Sequence, residues 1–223
     1  LWIDVGHPCR SAVRLRRPRL VVVSAAATSE EFSRVMMEDL FVAQDSRPAH
    51  VQPVTLGSLA PFDRGLLVIV GLVTQFIEAS CLEPVAVIKL SQVRERLDAA
   101  DPWLHAASGD SIVRRRVILK GEQSDRTYAI GEAVIDPGRL PASLEERLDT
   151  GDEGIGRLLR RTRVESHGEL LWYGQAVSDL PPELDDLGDR TWLTRTYRLL
   201  RGGEPMITIS EWFPMTACGD DRR

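Results

Sequence analysis

The stretch WLTRTYRLLRGGEPMITISEWF, from Trp192 to Phe213, predicts two antiparallel β-strands joined by a tight turn. Apolar and polar residues alternate along the second strand, as they do in a strand with one buried face. The Gly-Gly pair between the strands favours a two-residue hairpin turn. One residue breaks the alternation, because Glu211 shares a face with Ile209 and Phe213. A carboxylate therefore stands where an apolar side chain is expected.

A partner for this carboxylate is present on another predicted strand. An unpaired carboxylate on a buried face costs several kcal/mol of desolvation, so Glu211 must be paired or protonated. In SIVRRRVILKG, residues 111–121, Arg115 is the one charge among the apolar residues at every second position. The arginines on either side of it point to the opposite face. Arg115 and Glu211 are therefore expected to share a polar spot inside the core.

Two interpretations of this spot remain open from the residues alone. It is a buried ion pair that helps to define the fold, although such pairs stabilise weakly because desolvation offsets attraction. Alternatively, it is a closed pocket in which Arg115 binds a ligand carboxylate and Glu211 contacts a hydroxyl group. Two further charges alternate inward on neighbouring strands, Glu132 in YAIGEAVI and Arg195 in RTYRLL. Both are interpreted as structural or edge residues rather than catalytic ones.

The order of the predicted elements indicates an α+β fold. Strands occur in hairpins instead of alternating regularly with helices, which favours an antiparallel sheet with helices packed on it. Residues 29–216 are predicted to form one domain. Residues 1–28 are interpreted as a poorly ordered extension and residues 217–223 as a polar tail.

Composition narrows the classes of partner. The net charge of −5 and the lack of a basic stripe argue against nucleic acid. The longest apolar run is far short of the roughly 20 residues that span a membrane. Three widely spaced cysteines make no disulfide framework or zinc pattern, and the four histidines show no ligand spacing. We therefore expect a cytoplasmic monomer or homodimer that binds no metal, nucleic acid or membrane.

Three segments resemble the chorismate lyase family, which includes the bacterial chorismate–pyruvate lyases. They are RRRVILKGEQSDRTYAIGEAVIDPGRLP, GIGRLL and RTYRLLRGGEPMITISEWF, within a similarity that runs from Leu66 to Phe213. The resemblance implies an antiparallel sheet with packed helices and helical flaps that close over an internal ligand site.

The same resemblance implies a set of ligand contacts. The substrate-binding arginine of the family falls on Arg115, and the glutamate that meets the ring hydroxyl falls on Glu211. A backbone contact at a helix start falls on Ile155, before Gly156. The flap contact falls on Val73, the residue before Thr74.

The implied activity is elimination of the enolpyruvyl group of chorismate, which gives 4-hydroxybenzoate and pyruvate without a cofactor. The aromatic product supplies the driving force, so the protein needs to orient the substrate and exclude water. Glu211 would hydrogen-bond the C4 hydroxyl and act as an acid or base if burial favours its protonated form. We expect Glu211→Ala and Arg115→Ala each to abolish turnover and to leave the fold largely intact.

One departure from the family pattern keeps two other functions open. Many relatives carry an Asp-Gly-Thr/Ser-like turn before the flap threonine, whereas this chain reads VGLVT, residues 70–74. The first alternative is a divergent enzyme that acts on another aromatic or enol-ether acid in secondary metabolism. The second is a non-catalytic module that binds a small carboxylic acid.

Overall fold

The predicted hairpin lies in the middle of a single antiparallel sheet. The computed structural model describes residues 39–150, 153–178, 180–182 and 191–215. The predicted extension at residues 1–28 and the tail at residues 217–223 lie outside these ranges. The described part has the α+β architecture that the sequence indicates.

Seven strands of the described chain form the sheet, and every neighbouring pair is antiparallel. In spatial order the sheet reads β1-β5-β6-β7-β4-β3-β2. The strands in chain order are β1 Val51–Gln52, β2 Val85–Arg96, β3 Ser111–Gly121, β4 Thr127–Ile135, β5 His167–Ala176, β6 Trp192–Arg201 and β7 Glu204–Pro214.

The turn between β6 and β7 depends on glycine. Gly202 and Gly203 have φ angles of +59° and +86°, a pair of positive values that L side chains adopt only with strain. The turn lets β6 and β7 pair in register from Trp192↔Pro214 to Leu199↔Ile207. This pairing places Arg195 directly opposite Glu211.

Four helices pack over one face of the sheet within the described chain: α1 Pro61–Val68, α2 Val73–Cys81, α3 Ala142–Thr150 and α4 Ile155–Thr162. Leu66, Ile77 and Leu158 from these helices join Ile207 and Phe213 of the sheet in the main hydrophobic core. Burial of these apolar side chains is the main force that holds the helices on the sheet. The helices cover the face on which Arg115 and Glu211 lie.

No helix in the described ranges is long and apolar enough to cross a membrane. Smaller apolar clusters lie apart from the main core. One contains Ile130 and Trp192, and another contains Leu104 and Ile112.

Candidate functional site

A cavity of about 390 Å³ lies between the helix-covered face of the sheet and the starts of α2 and α4. Two short segments close it, residues 71–75 and residues 153–157, which we call the flap segments. All the ligand contacts expected from the sequence border this cavity: Val73, Thr74, Arg115, Ile155, Gly156 and Glu211. The sheet and the two flap segments therefore bring together residues that are far apart in the chain.

Arg115 connects the sheet to the flap helices. Strand alternation on β3 turns its side chain inward, where it is 1% exposed. Its Nη1 donates to Gln92 Oε1 at 2.9 Å and to the carbonyl of Leu148 at 3.1 Å. Its Nη2 donates to the carbonyl of Glu153 at 2.9 Å. The guanidinium thus binds the end of α3 and the segment before α4, and lies at the cavity wall.

Glu211 is buried on β7 and forms its ion pair with Arg195. Arg195 Nε donates to Glu211 Oε2 at 2.7 Å, and Arg195 Nη2 lies 2.6 Å from the same oxygen. The glutamate side chain is 9% exposed and borders the cavity. The carboxylate therefore has a permanent counter-ion within the sheet.

Arg115 and Glu211 were expected to share one polar spot, and the structure agrees with this only in part. Both residues border the cavity, but the ion pair of Glu211 is with Arg195. Residues directly opposite each other on adjacent strands lie about 5 Å apart. β3 is separated from β7 by β4. Arg115 is in line with Ala133 of β4 and Ile209 of β7, two positions before Glu211, so its backbone lies more than two strand spacings, about 10 Å, from that of Glu211.

Arg195 is not an edge residue. It lies on β6, between β5 and β7, and its side chain is fully buried at 0% exposure. The faces of Tyr197 and Phe213 lie 5.1 Å and 5.7 Å from its guanidinium carbon, within cation–π range. It lies behind Glu211 and is not among the residues that border the cavity.

Glu132 was expected to point inward, and this expectation is wrong. The residue borders the cavity, but its carboxylate points to the opposite face of the sheet. There it accepts hydrogen bonds from Arg114 Nη1 at 2.7 Å and Arg116 Nε at 2.6 Å. Both arginines were expected on that face from the alternation of β3, and their charges are balanced by Glu132 and by Glu95.

The two flap segments touch through their backbones. Gly154 precedes α4 with no side-chain cap, so the first backbone N–H groups of the helix are available to an acceptor. A Cβ placed on Gly156 would lie 2.2 Å from the carbonyl oxygen of Gly71. Only glycine permits this approach, which draws the start of α4 against the loop before α2.

Sequence reasoning missed several residues of the cavity wall, among them Tyr197, Gln75 and Arg157. Burial raises the pKa of the Tyr197 phenol, the charge of Glu211 raises it further, and Arg195 opposes this shift. The hydroxyl therefore remains a donor at neutral pH. Tyr197 stands two positions after Arg195, so strand alternation could have identified it. Arg157 lies on a helix surface, where no sequence signal distinguishes it.

In the described ranges, no group of three or more His, Cys, Asp or Glu residues is arranged to hold a metal ion. The polar side chains that border the cavity include the guanidinium of Arg115, the carboxylate of Glu211 and the phenol of Tyr197. Such a set can bind a small carboxylic acid that also carries a hydroxyl group.

The chain is similar to a known protein family over most of its length. The family model described as "Chorismate pyruvate-lyase Rv2949c-like" matches residues 67–219. The chorismate pyruvate-lyase of Mycobacterium leprae is 28% identical over 172 residues, which cover 72% of this chain and 79% of that protein. The chorismate pyruvate-lyase of Mycobacterium tuberculosis is 30% identical over 104 residues, covering 46% of this chain and 52% of that protein.

Solved structures give a weaker similarity. PhnF from Mycobacterium smegmatis superposes with a TM-score of 0.48 and 13% identity, over 75% of this chain and 68% of that one. The C-terminal domain of the histidine utilization repressor from Pseudomonas syringae pv. tomato gives 0.46 and 11%, over 58% and 91%. At these values the likeness says nothing about function.

Proposed function

Because this chain belongs to the chorismate pyruvate-lyase family, we propose that it eliminates pyruvate from chorismate and releases 4-hydroxybenzoate. The family match confirms the resemblance carried by the strand and hairpin motifs. It spans residues 67–219 and therefore includes every ligand contact expected from the sequence.

The proposal rests on one observation, that Arg115 and Glu211 both border a cavity of about 390 Å³. This volume lies in the range of small-molecule sites. A cation on one strand and a carboxylate on another can hold a substrate that has both a carboxylate and a hydroxyl group. The apolar remainder of the wall, which includes Val117, Leu119 and Ile209, suits a six-membered carbon ring.

The proposed reaction requires little chemistry from the protein. The C3–O bond of the enol ether breaks, the hydrogen on C4 leaves as a proton, and the ring becomes aromatic. The enolpyruvyl fragment takes up one proton at its methylene carbon and becomes pyruvate, so the atoms balance without a co-reactant. The cavity needs only to orient the substrate and to exclude water. The reaction as written needs no cofactor.

To bind the ring carboxylate, Arg115 would give up some of its present hydrogen-bond acceptors in the protein. Its Nη groups donate to Gln92 and to two backbone carbonyls, and a charged carboxylate is a stronger acceptor than either. The backbone N–H groups of Ile155 and Gly156, at a helix start with no side-chain cap, would add donors to the same carboxylate. Val73 and Thr74 would close the opposite side of the ring.

A direct assay tests the proposal. Purified protein is incubated with chorismate, and pyruvate and 4-hydroxybenzoate are quantified by chromatography. We expect equal amounts of the two products, and we expect Arg115→Gln to form neither. Arg96→Gln is the matched control, because Arg96 is an exposed strand arginine that donates to Gly109 and does not border the cavity.

The same assay separates the alternatives. The flap sequence VGLVT, residues 70–74, is the basis for the alternative of a divergent substrate, since Gly71, Val73 and Thr74 border the cavity. Absence of both products, with tight binding of 4-hydroxybenzoate, would replace the lyase by a binding module. Absence of products and of binding would point to another aromatic or enol-ether acid. The cytoplasmic location and the monomeric or homodimeric state remain part of this proposal.

A further inference from the structure

The ion pair behind the cavity carries an inference about how Glu211 acts. Arg195 is fully buried, and a guanidinium keeps its charge in proteins. Its Nη1 and Nη2 make no hydrogen bond with good geometry among the described residues, although Nη2 lies 2.6 Å from Glu211 Oε2. In the same part of the chain, Glu211 is the one carboxylate that it contacts. The two flanking rings provide polarisable surface but no anion.

This pairing makes Glu211 the counter-ion of Arg195. A buried guanidinium with no anion beside it is strongly unfavourable, so the pair is expected to stay together. The carboxylate of such a pair only accepts hydrogen bonds.

The two carboxylate oxygens of Glu211 also differ in their contacts. Both Nε and Nη2 of Arg195 converge on Oε2. Oε1 makes no hydrogen bond with any residue in the described ranges, and Glu211 borders the cavity. One oxygen is thus held by the protein and the other is open to a ligand.

We propose that Arg195 is a positioning residue that fixes Glu211 as a one-oxygen hydrogen-bond acceptor, so that the site selects ligands with a hydroxyl donor. Glu211 then orients the hydroxyl group through its Oε1 oxygen. The inference rests on the proposed function in one respect, the contact of Glu211 with the ring hydroxyl.

Binding of two matched ligands tests this inference without relying on turnover. Calorimetry compares 4-hydroxybenzoate with 4-fluorobenzoate, which has nearly the same shape but no donor. We expect the protein to prefer 4-hydroxybenzoate by roughly 10- to 100-fold, the size of a hydrogen bond to a charged group. Arg195→Met should reduce this preference to below about threefold, because Glu211 then loses the partner that holds its Oε2 oxygen and orients the carboxylate.

Arg195→Lys supplies the conservative comparison. It retains the charge without the planar fork, so we expect a preference between those of the wild type and Arg195→Met. Full preference in folded Arg195→Met would overturn the inference and leave Arg195 with a purely structural role. The proposed function would stand in that case. Failure of the wild type to bind either ligand would overturn both.

Arg195→Lys also covers the case in which Arg195→Met does not fold, because it keeps the buried positive charge. A full wild-type preference in folded Arg195→Lys would then overturn the inference.

Discussion

At the scale of single residues, burial of charge governs the site. Glu211 and Arg195 lie opposite each other on central strands, and their contact replaces the water that each would otherwise hold. A buried pair of this kind contributes little net stability, but removing one partner leaves a buried charge uncompensated. The expected tolerance of Glu211→Ala therefore no longer holds for the free energy of unfolding.

Glu211→Ala should lower the free energy of unfolding by about 3–5 kcal/mol, because it strands the Arg195 guanidinium in the core. Urea denaturation of the purified variant measures this change. Glu204→Ala, an exposed glutamate on the same strand, should stay within about 0.5 kcal/mol of the wild type.

The double variant Glu211→Ala with Arg195→Met should be more stable than the sum of the two single changes predicts, because it removes both charges. The coupling expected for contacting residues is about 0.5–3 kcal/mol. Simple additivity of the two single effects would show that the two side chains do not interact in the folded protein.

At the scale of elements, close backbone contact sets the position of the flap segments. The start of α4 approaches Gly71 at Gly156, where any side chain would overlap the carbonyl oxygen. Arg115 adds two hydrogen bonds to the same region of the chain, at Leu148 and Glu153. The cavity thus depends on contacts between segments that the sheet brings together.

Gly156→Ala should move α4 away from Gly71 and weaken binding of 4-hydroxybenzoate by at least about tenfold, since a small displacement disturbs several contacts at once. Calorimetric titration measures the dissociation constant. Gly57→Ala is the matched control, because a Cβ at Gly57 meets no atom within 4 Å. Equal affinity in the two variants would contradict the assigned role of the Gly71 contact.

A second junction between elements responds to pH. Glu83, just before β2, accepts hydrogen bonds from the Tyr128 hydroxyl and from Ser124 in the β3–β4 turn. The bond from Tyr128 is the main cause that lowers the pKa of Glu83, followed by the bonds from the turn, while burial opposes it. Burial and the bond to Glu83 raise the pKa of Tyr128.

Because the pKa of Glu83 is lower in the folded than in the unfolded protein, its stabilising effect is complete above about 4.5, its ordinary value. The effect is lost as the pH falls further through the folded pKa. Thermal unfolding from neutral pH into acid should therefore show a smaller loss of stability for Glu83→Gln than for the wild type. Parallel curves for the two proteins would contradict this role.

At the scale of the whole molecule, one sheet supports the cavity from below and the helices close it from above. A ligand in such a site binds the folded protein alone and stabilises it by mass action. At 100 times its dissociation constant, 4-hydroxybenzoate should raise the free energy of unfolding by about 2.7 kcal/mol. A thermal shift assay measures the rise, and Arg115→Gln should show none at the same ligand concentration.

Much of the architecture could be predicted from local patterns. The alternation in SIVRRRVILKG, residues 111–121, and the Gly-Gly turn after β6 specify strands, a hairpin and the inward direction of Arg115 and Glu211. These features follow from a period of two and from the φ angles of glycine, which are properties of neighbouring residues. The family similarity then indicated which inward residues to examine.

The partner of Glu211 could not be predicted in this way. Alternation put Arg115 and Arg195 on candidate inward faces, but it contains no information on which strands are adjacent. Adjacency and register arise from long-range pairing, here β6 with β7 at Arg195↔Glu211. The same holds for the carbonyl partners of Arg115, which lie 33 and 38 residues away along the chain.

The sequence by itself therefore determined the strands, the hairpin turn and the inward direction of Arg115, Arg195 and Glu211, because each depends on local backbone geometry. Only the tertiary structure decided that Glu211 is held by Arg195, that Arg115 binds the flap helices, and that Glu132 faces the opposite side. Those outcomes depend on strand order and helix docking, which are set by burial of apolar surface over the whole chain.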